Sequence, residues 1–135
     1  EGCVLADGTD VAIIAGGIMT AEALEAAKCL KEQGISAAVI DPVTIKPLDE
    51  SLILTYAKKT KAVVTAENAN VNGGLGDGVA SVLSLNEPVI LRKVGVQDEF
   101  GEVGTEEYLR KRFRLTPEEI VKQAAEAVRV KRERG

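Results

Sequence analysis

Twice along this chain a short, unbroken apolar run gives way to a glycine pair and then to an amphipathic helical pattern. Val11 to Ala15 (VAIIA) runs into Gly16-Gly17, after which Ala23, Leu24, Ala27 and Leu30 form one stripe up to a stop at Gly34. Ala62 to Ala66 (AVVTA) ends in Glu67, crosses an asparagine-bearing loop to Gly73-Gly74, and leads to Leu75, Val79, Val82 and Leu83. A strand that is apolar on consecutive residues has both faces covered, the condition of a parallel sheet lined by helices. Parallel neighbours need long crossovers, usually helical. The repeated plan therefore predicts a three-layer α/β domain with right-handed crossovers.

The remaining segments extend the alternation. Residues 36–41 (SAAVID) and 88–94 (PVILRKV) read as further strands. Thr20 is expected to cap the first helix, and Asp49 the second, whose stripe is Leu52, Ile53, Tyr56 and Ala57. Thr116-Pro117-Glu118-Glu119 combines an N-cap, a first-turn proline and a Glu three residues after the cap, which predicts a helix start there. Ile120, Ala124, Ala127 and Val128 would be its buried face. A short strand near Cys3-Val4-Leu5, turning at Asp7-Gly8, is expected to pair at a sheet edge. The chain of 135 residues reads as a single domain, 1–135, with residues 129–135 as a charged, fraying tail.

Composition narrows the function classes. The net charge of −4 argues against a general affinity for nucleic acid. The basic run Arg110-Lys111-Arg112-Phe113-Arg114 reads as an anion patch or as the solvated face of a short helix, with Glu106 and Glu107 at helical spacing. There is no histidine, which removes the commonest general base and metal ligand. Cys3 and Cys29 are read as two reduced thiols of a cytoplasmic protein, too few and too distant for a zinc site. No apolar run approaches the ~18 residues of a spanning helix, so neither a membrane nor a nucleic acid is an expected partner. Opening on Glu1 without a signal-peptide pattern, the sequence is expected to be a piece of a longer protein.

Open α/β sheets bind ligands beyond the carboxyl ends of strands, where strand order reverses. The candidate crevice here comprises Gly16, Gly17 and Thr20, with Met19 beside them, from the first loop. Glu67, Asn68, Asn70, Gly73 and Gly74 come from the second. Helix-start N–H groups favour anions and glycines permit close approach. The alternative is that both glycine pairs only allow tight turns and close packing. Glu67 reads as an acid, a base or a partner for a positive group, or else as a loop cap or interface residue. No second catalytic group stands near it in sequence, and no catalytic or metal-binding residue is assigned. Gly74-Leu75-Gly76-Asp77-Gly78 is not a dinucleotide fingerprint, and Ser51, Ser81 and Ser84 have no histidine partner.

These residues resemble a known family. The blocks Asp10 to Met19, Ala23 to Ala27, Asp41-Pro42-Val43-Thr44-Ile45-Lys46-Pro47-Leu48-Asp49, Val63 to Glu67, Gly73 to Gly76 and Val94 to Gly101 with Gly104 are similar to the transketolase C-terminal domain. The resemblance extends over nearly the whole chain, in particular to the C-terminal subunit of split transketolases. The Ile45-to-Asp49 and Gly73-to-Gly76 blocks, in that order, carry most of its specificity. The superfamily also includes 1-deoxyxylulose-5-phosphate synthase and the β subunit of 2-oxoacid dehydrogenases. The stretch from Phe100-Gly101 to Ile120 is most similar to transketolase proper.

The resemblance implies a five-stranded, mostly parallel sheet with one antiparallel edge strand. It implies an enzyme that moves a two-carbon ketol unit between sugar phosphates with thiamine diphosphate and magnesium. Those cofactors are held by two other domains, so this chain is expected to bind neither and to be inactive alone. Its implied role is dimer assembly, with the thiamine-binding domains or subunit as partner. Gly76-Asp77-Gly78 resembles the start of a thiamine diphosphate motif but lacks the required asparagine pair. Ala69 stands where many relatives have a histidine, which argues against a direct catalytic role. Phe100 and Tyr108 are candidate interface anchors, with core packing as the alternative. A free-standing anion- or small-molecule-binding module is the other reading of the crevice.

Overall fold

The computed structural model describes residues 3–16, 19–42, 49–68, 75–86, 89–96 and 106–134. The elements in order are β1 (Cys3–Ala6), β2 (Val11–Ala15), α1 (Thr20–Glu32), β3 (Ala37–Asp41), α2 (Glu50–Thr60), β4 (Ala62–Asn68), α3 (Leu75–Asn86), β5 (Ile90–Val96) and α4 (Glu106–Arg134). The strands form one sheet in the order β1-β3-β2-β4-β5. Only β1 runs antiparallel, pairing with β3 at an edge through a local irregularity between Val4 and Ala6. The three-layer α/β expectation and its antiparallel edge strand are both met.

β2 explains the layering. All five of its residues are buried. Side chains alternate across a strand, so Val11, Ile13 and Ala15 enter one core while Ala12 and Ile14 enter the other. The first core is closed by Met19, Ala23, Ala26 and Leu30 of the α1 segment and by Ile120, Ala124, Ala127 and Val128 of α4. The second is closed by Ile53, Tyr56 and Ala57 of α2 and Val79, Val82 and Leu83 of α3. From β2 the chain steps outward to β3 by α1, then returns past β2 to β4 by α2. That reversal puts α1 and α2 on opposite faces and makes the β2–β4 boundary the topological switch point.

Local signals account for several boundaries. Asp49 caps α2, its Oδ1 accepting the Leu52 N–H at 3.0 Å. Gly34, at φ 82°, ends α1, with the Ile35 N–H donating back to the Leu30 carbonyl at 2.9 Å. Thr20 is the first residue of α1 rather than its cap; Met19 holds the cap position. The buried stripe of α1 is also rotated from the expected one. Ala23, Ala26 and Leu30 face the core and Leu24 is exposed, because the helix must pack against α4 as well as the sheet.

The largest difference concerns α4. It runs unbroken through Pro117, joining the expected short basic helix to the one predicted to start at Thr116. It also continues to Arg134 through the segment expected to fray. There Arg129 bonds Glu126 and Glu133, the latter at 2.6 Å, and Lys131 is anchored to main-chain carbonyls. No helix among the described residues is long and apolar enough to cross a membrane.

Candidate functional site

The structure brings the ends of the two strands that precede the predicted loops to one edge. Ala15 pairs with Ala66 in the parallel β2–β4 ladder, so Gly16 and Glu67 follow each other on neighbouring strands at the carboxyl end of the sheet. Thr20 opens α1 at the same edge and Asn68 closes β4. Gly17, Asn70, Gly73 and Gly74 lie outside the described residues, as do Ala69 and Phe100. The side chains of Asn68, of Tyr108 and of the basic run 110–114 also fall outside them.

Glu67 is half-buried, and its role is clear from its partner. Its Oε1 accepts the Gly76 N–H at 2.6 Å, so a residue at the end of β4 satisfies a donor in the first turn of α3. A carboxylate there also meets the positive end of the helix dipole. On the other side, Glu67 pairs with Gly95 of β5. Because Gly95 has no side chain, a recess of about 180 Å³ opens beside the carboxylate, lined by Glu67, Gly76, Asp77, Lys93, Val94 and Gly95.

Lys93 and Thr65 complete this corner. They pair across β4 and β5, on the face that α3 covers. The Lys93 stem lies against Gly76, where an added Cβ would stand 3.1 Å from Lys93 Cδ and 3.3 Å from Thr65 Oγ1. The Lys93 ammonium then reaches Asp77 Oδ1 at 2.9 Å, in an exposed ion pair. Thr65 is fully buried, and its hydroxyl has no hydrogen-bond partner among the described residues. The sequence reading missed this group. Its one visible signal was Gly76 in the first helical turn, where a bare Cα lets a neighbouring stem pass close.

The chemistry of the corner is that of a helix anchor. Glu67 is engaged by a main-chain donor, the nearby cation is engaged by Asp77, and the chain has no imidazole to pair with either. Thiamine diphosphate needs a magnesium donor set. Asp77 of Gly76-Asp77-Gly78 instead sits on the first turn of α3 against Lys93. Among the described residues no cluster of three or more His, Cys, Asp or Glu is placed to hold a metal. The described residues therefore do not fit that cofactor.

Two larger grooves lie elsewhere. One, of about 640 Å³, runs between α1 and α4 past Glu25, Cys29, Pro117 and Val121. The other, of about 600 Å³, lies between β1 and α1 past Asp7, Leu24, Lys28 and Ile35. The first runs along α1 from Ala21 to Gln33, and the second lies toward the β1 edge of the sheet.

A five-stranded mixed sheet covered on both faces by helices, with the Glu67 carboxylate bonded to the start of α3, defines a three-layer α/β domain. Residues 1–120 match the family of the transketolase C-terminal domain, and the chain belongs to that family. It is 56% identical over 123 residues to the 6-deoxy-6-sulfo-D-fructose transketolase subunit SqwH of Clostridium sp. (strain MSTE9), covering 91% of this chain and 38% of that protein. It is 43% identical over 111 residues to 1-deoxy-D-xylulose-5-phosphate synthase 1 of Geobacter sulfurreducens, covering 81% of this chain and 17% of that enzyme. Among solved structures, a split gene transketolase described as an inactive β4 tetramer superposes with a TM-score of 0.83 at 47% identity, covering 97% of this chain and 43% of that one. The chain thus spans about two fifths of the length of its transketolase relatives.

Proposed function

We propose that this chain is the assembly domain of a thiamine diphosphate-dependent transketolase, contributing to the enzyme without performing its chemistry. The observation that carries the reading is Glu67. The Glu67 carboxylate, at the switch point of a transketolase C-terminal fold, is spent on the Gly76 N–H at 2.6 Å. In this account the rest of the enzyme holds thiamine diphosphate and magnesium and carries the two-carbon ketol transfer between sugar phosphates. The partner is that thiamine-binding portion, as part of the same polypeptide or as a separate subunit, and the working enzyme is a cytoplasmic homodimer of the complete unit. The similarity to a β4 tetramer supports self-association of chains of this type.

The similarity to the sulfo-sugar transketolase subunit is higher than that to the 1-deoxyxylulose-5-phosphate synthase, which favours a transketolase over a synthase. It does not select the sugar, because the sugar contacts are assigned to the thiamine-binding portion. Sedimentation velocity tests the association. Mixing this chain with the separately expressed thiamine-binding portion should give one faster-sedimenting species. Two unchanged boundaries at micromolar concentrations of both would contradict the proposal.

A further inference from the structure

We infer that the β1 edge, with the groove between β1 and α1, is the face on which the thiamine-binding portion docks. The segment that docks is extended and carries apolar and acidic side chains; this choice of face rests on the assembly reading. β1 is an edge strand whose main contact among the described elements is β3, so its outer side has no strand beside it among the described residues. Edges are ordinarily blunted by charge, by proline or by a bulge. β1 (Cys-Val-Leu-Ala) carries no charge and no proline, and its one irregularity lies between Val4 and Ala6. That irregularity limits an added strand to a few main-chain hydrogen bonds, which leaves the rest of the contact to side chains.

Those side chains are present. Of the four large apolar side chains exposed among the described residues, Val4, Leu5 and Leu24 stand on this side, at 42, 41 and 39%, and Leu85 stands elsewhere. Apolar exposure gathered in one place marks an interaction surface. Ala6 pairs with Val39 on the face that α1 covers and Val4 with Ile40 on the other, so apolar side chains flank the open edge from both faces. The groove of about 600 Å³ between β1 and α1 has Leu24 and Ile35 along it and Lys28 and Lys31 at its rim. Both lysines are exposed, and neither is bonded to a described residue. The one carboxylate lining the groove, Asp7, is already engaged by Lys59, Tyr56 and Gly8. Two free cations over apolar surface suit an acidic, apolar segment. Charge decides against a second copy. Antiparallel two-fold pairing of β1 with its own copy keeps α1 on the same face in both. It would set the lysine pair of each copy over one merged groove, and such like-charge juxtaposition selects against that partner.

Calorimetric titration of this chain with the separately expressed thiamine-binding portion, at low and at high salt, tests this. Lys28→Glu combined with Lys31→Glu should raise the Kd at least tenfold at low salt and flatten its dependence on salt. Val4→Lys places on β1 the charge that protected edges carry and should also raise the Kd at least tenfold. Leu24→Ser should raise it at least threefold. Leu85→Ser, on α3 against the opposite face, should leave it within twofold of wild type. Circular dichroism and thermal unfolding check that each variant is folded. If the charge reversal does not fold, Val4→Lys and Leu24→Ser, both at exposed positions, decide. Wild-type affinity in the folded variants would overturn the inference and leave the assembly reading standing. A wild-type chain that does not bind the thiamine-binding portion would overturn both. Self-association of the wild-type chain that Val4→Lys abolishes would put a second copy on this edge and overturn the inference as well.

Discussion

Lys131, near the end of α4, donates from Nζ to the main-chain carbonyl of Thr60 at 2.8 Å, across 71 residues of sequence. The same ammonium donates to the Asp10 carbonyl at 2.6 Å. One cation thus ties the last turn of α4 to the end of α2 and the approach to β2. Cations favour helix C-termini, and the Thr60 carbonyl is the last of α2. Burial holds the Lys131 ammonium below its ordinary 10.5, as expected for a charge drawn into the protein surface.

Lys131→Met keeps the stem and removes both bonds. It should lower the free energy of unfolding by about 1–2 kcal/mol, somewhat under the sum for two charged hydrogen bonds because the site is only half-buried. Urea denaturation checks this. An unchanged midpoint would mean that the end of α4 contributes nothing to holding the fold.

Asp7 gathers the β1–β2 turn against α2. Its Oδ1 accepts from Lys59 Nζ at 2.7 Å, Tyr56 Oη at 2.8 Å and the Gly8 N–H at 2.8 Å. The Lys59 hydrogen bond, then that of Tyr56, lowers the Asp7 carboxyl below its ordinary 3.8. A carboxylate whose pKa falls on folding contributes stability above its unfolded value, and that contribution is lost as the pH falls through the folded value. Wild type should therefore lose stability below about pH 4, and Asp7→Asn should show a shallower loss while being less stable at neutral pH. Unfolding free energies measured from about pH 2 to about pH 7, across the carboxylate range, would give parallel curves if Asp7 played no part.

Thr65→Val replaces a buried hydroxyl, without a hydrogen-bond partner among the described residues, by a methyl group of nearly the same shape. The change removes an unmet desolvation cost, so the variant should be as stable as wild type or more stable by about 1 kcal/mol. Thermal unfolding decides. A fall in Tm of several degrees would show that the hydroxyl has a partner after all.

Gly8→Ala should do the opposite. A Cβ at Gly8 would stand 2.3 Å from the Ala37 carbonyl carbon, a backbone atom that cannot step aside without moving β3. A loss of about 3 kcal/mol or more is expected, at the upper end of single substitutions. A stable alanine variant with an unchanged fold would contradict the close approach of that turn to β3.

Much of this architecture was legible in the residues. VAIIA could hardly be anything but a central strand, and Asp49 and Gly34 act as their side chains and backbone freedom dictate. What escaped was set by partners distant in sequence. The predicted third strand stopped at Ala66, yet the ladder carries it to Asn68 because Glu67 and Asn68 meet Gly95 and Val96 of β5. Thr116-Pro117-Glu118-Glu119 has every local mark of a helix start, but a proline at a first turn and one inside a longer helix look alike in sequence. Glu67 reads with several roles in the sequence, since only the folded chain shows that Gly76 is its partner. Leu24 was expected inside because helical spacing fixes a stripe but not its rotation against two neighbours at once.

In the proposed function this domain assembles a transketolase and leaves the chemistry to its partner. The direct test is a ketol-transfer assay with thiamine diphosphate and magnesium. It is run on this chain alone, on the separately expressed thiamine-binding portion alone, and on the two mixed. This chain should show no turnover, and the mixture should be well above the thiamine-binding portion in activity. Turnover by this chain alone, or a mixture no more active than its thiamine-binding component, would contradict it.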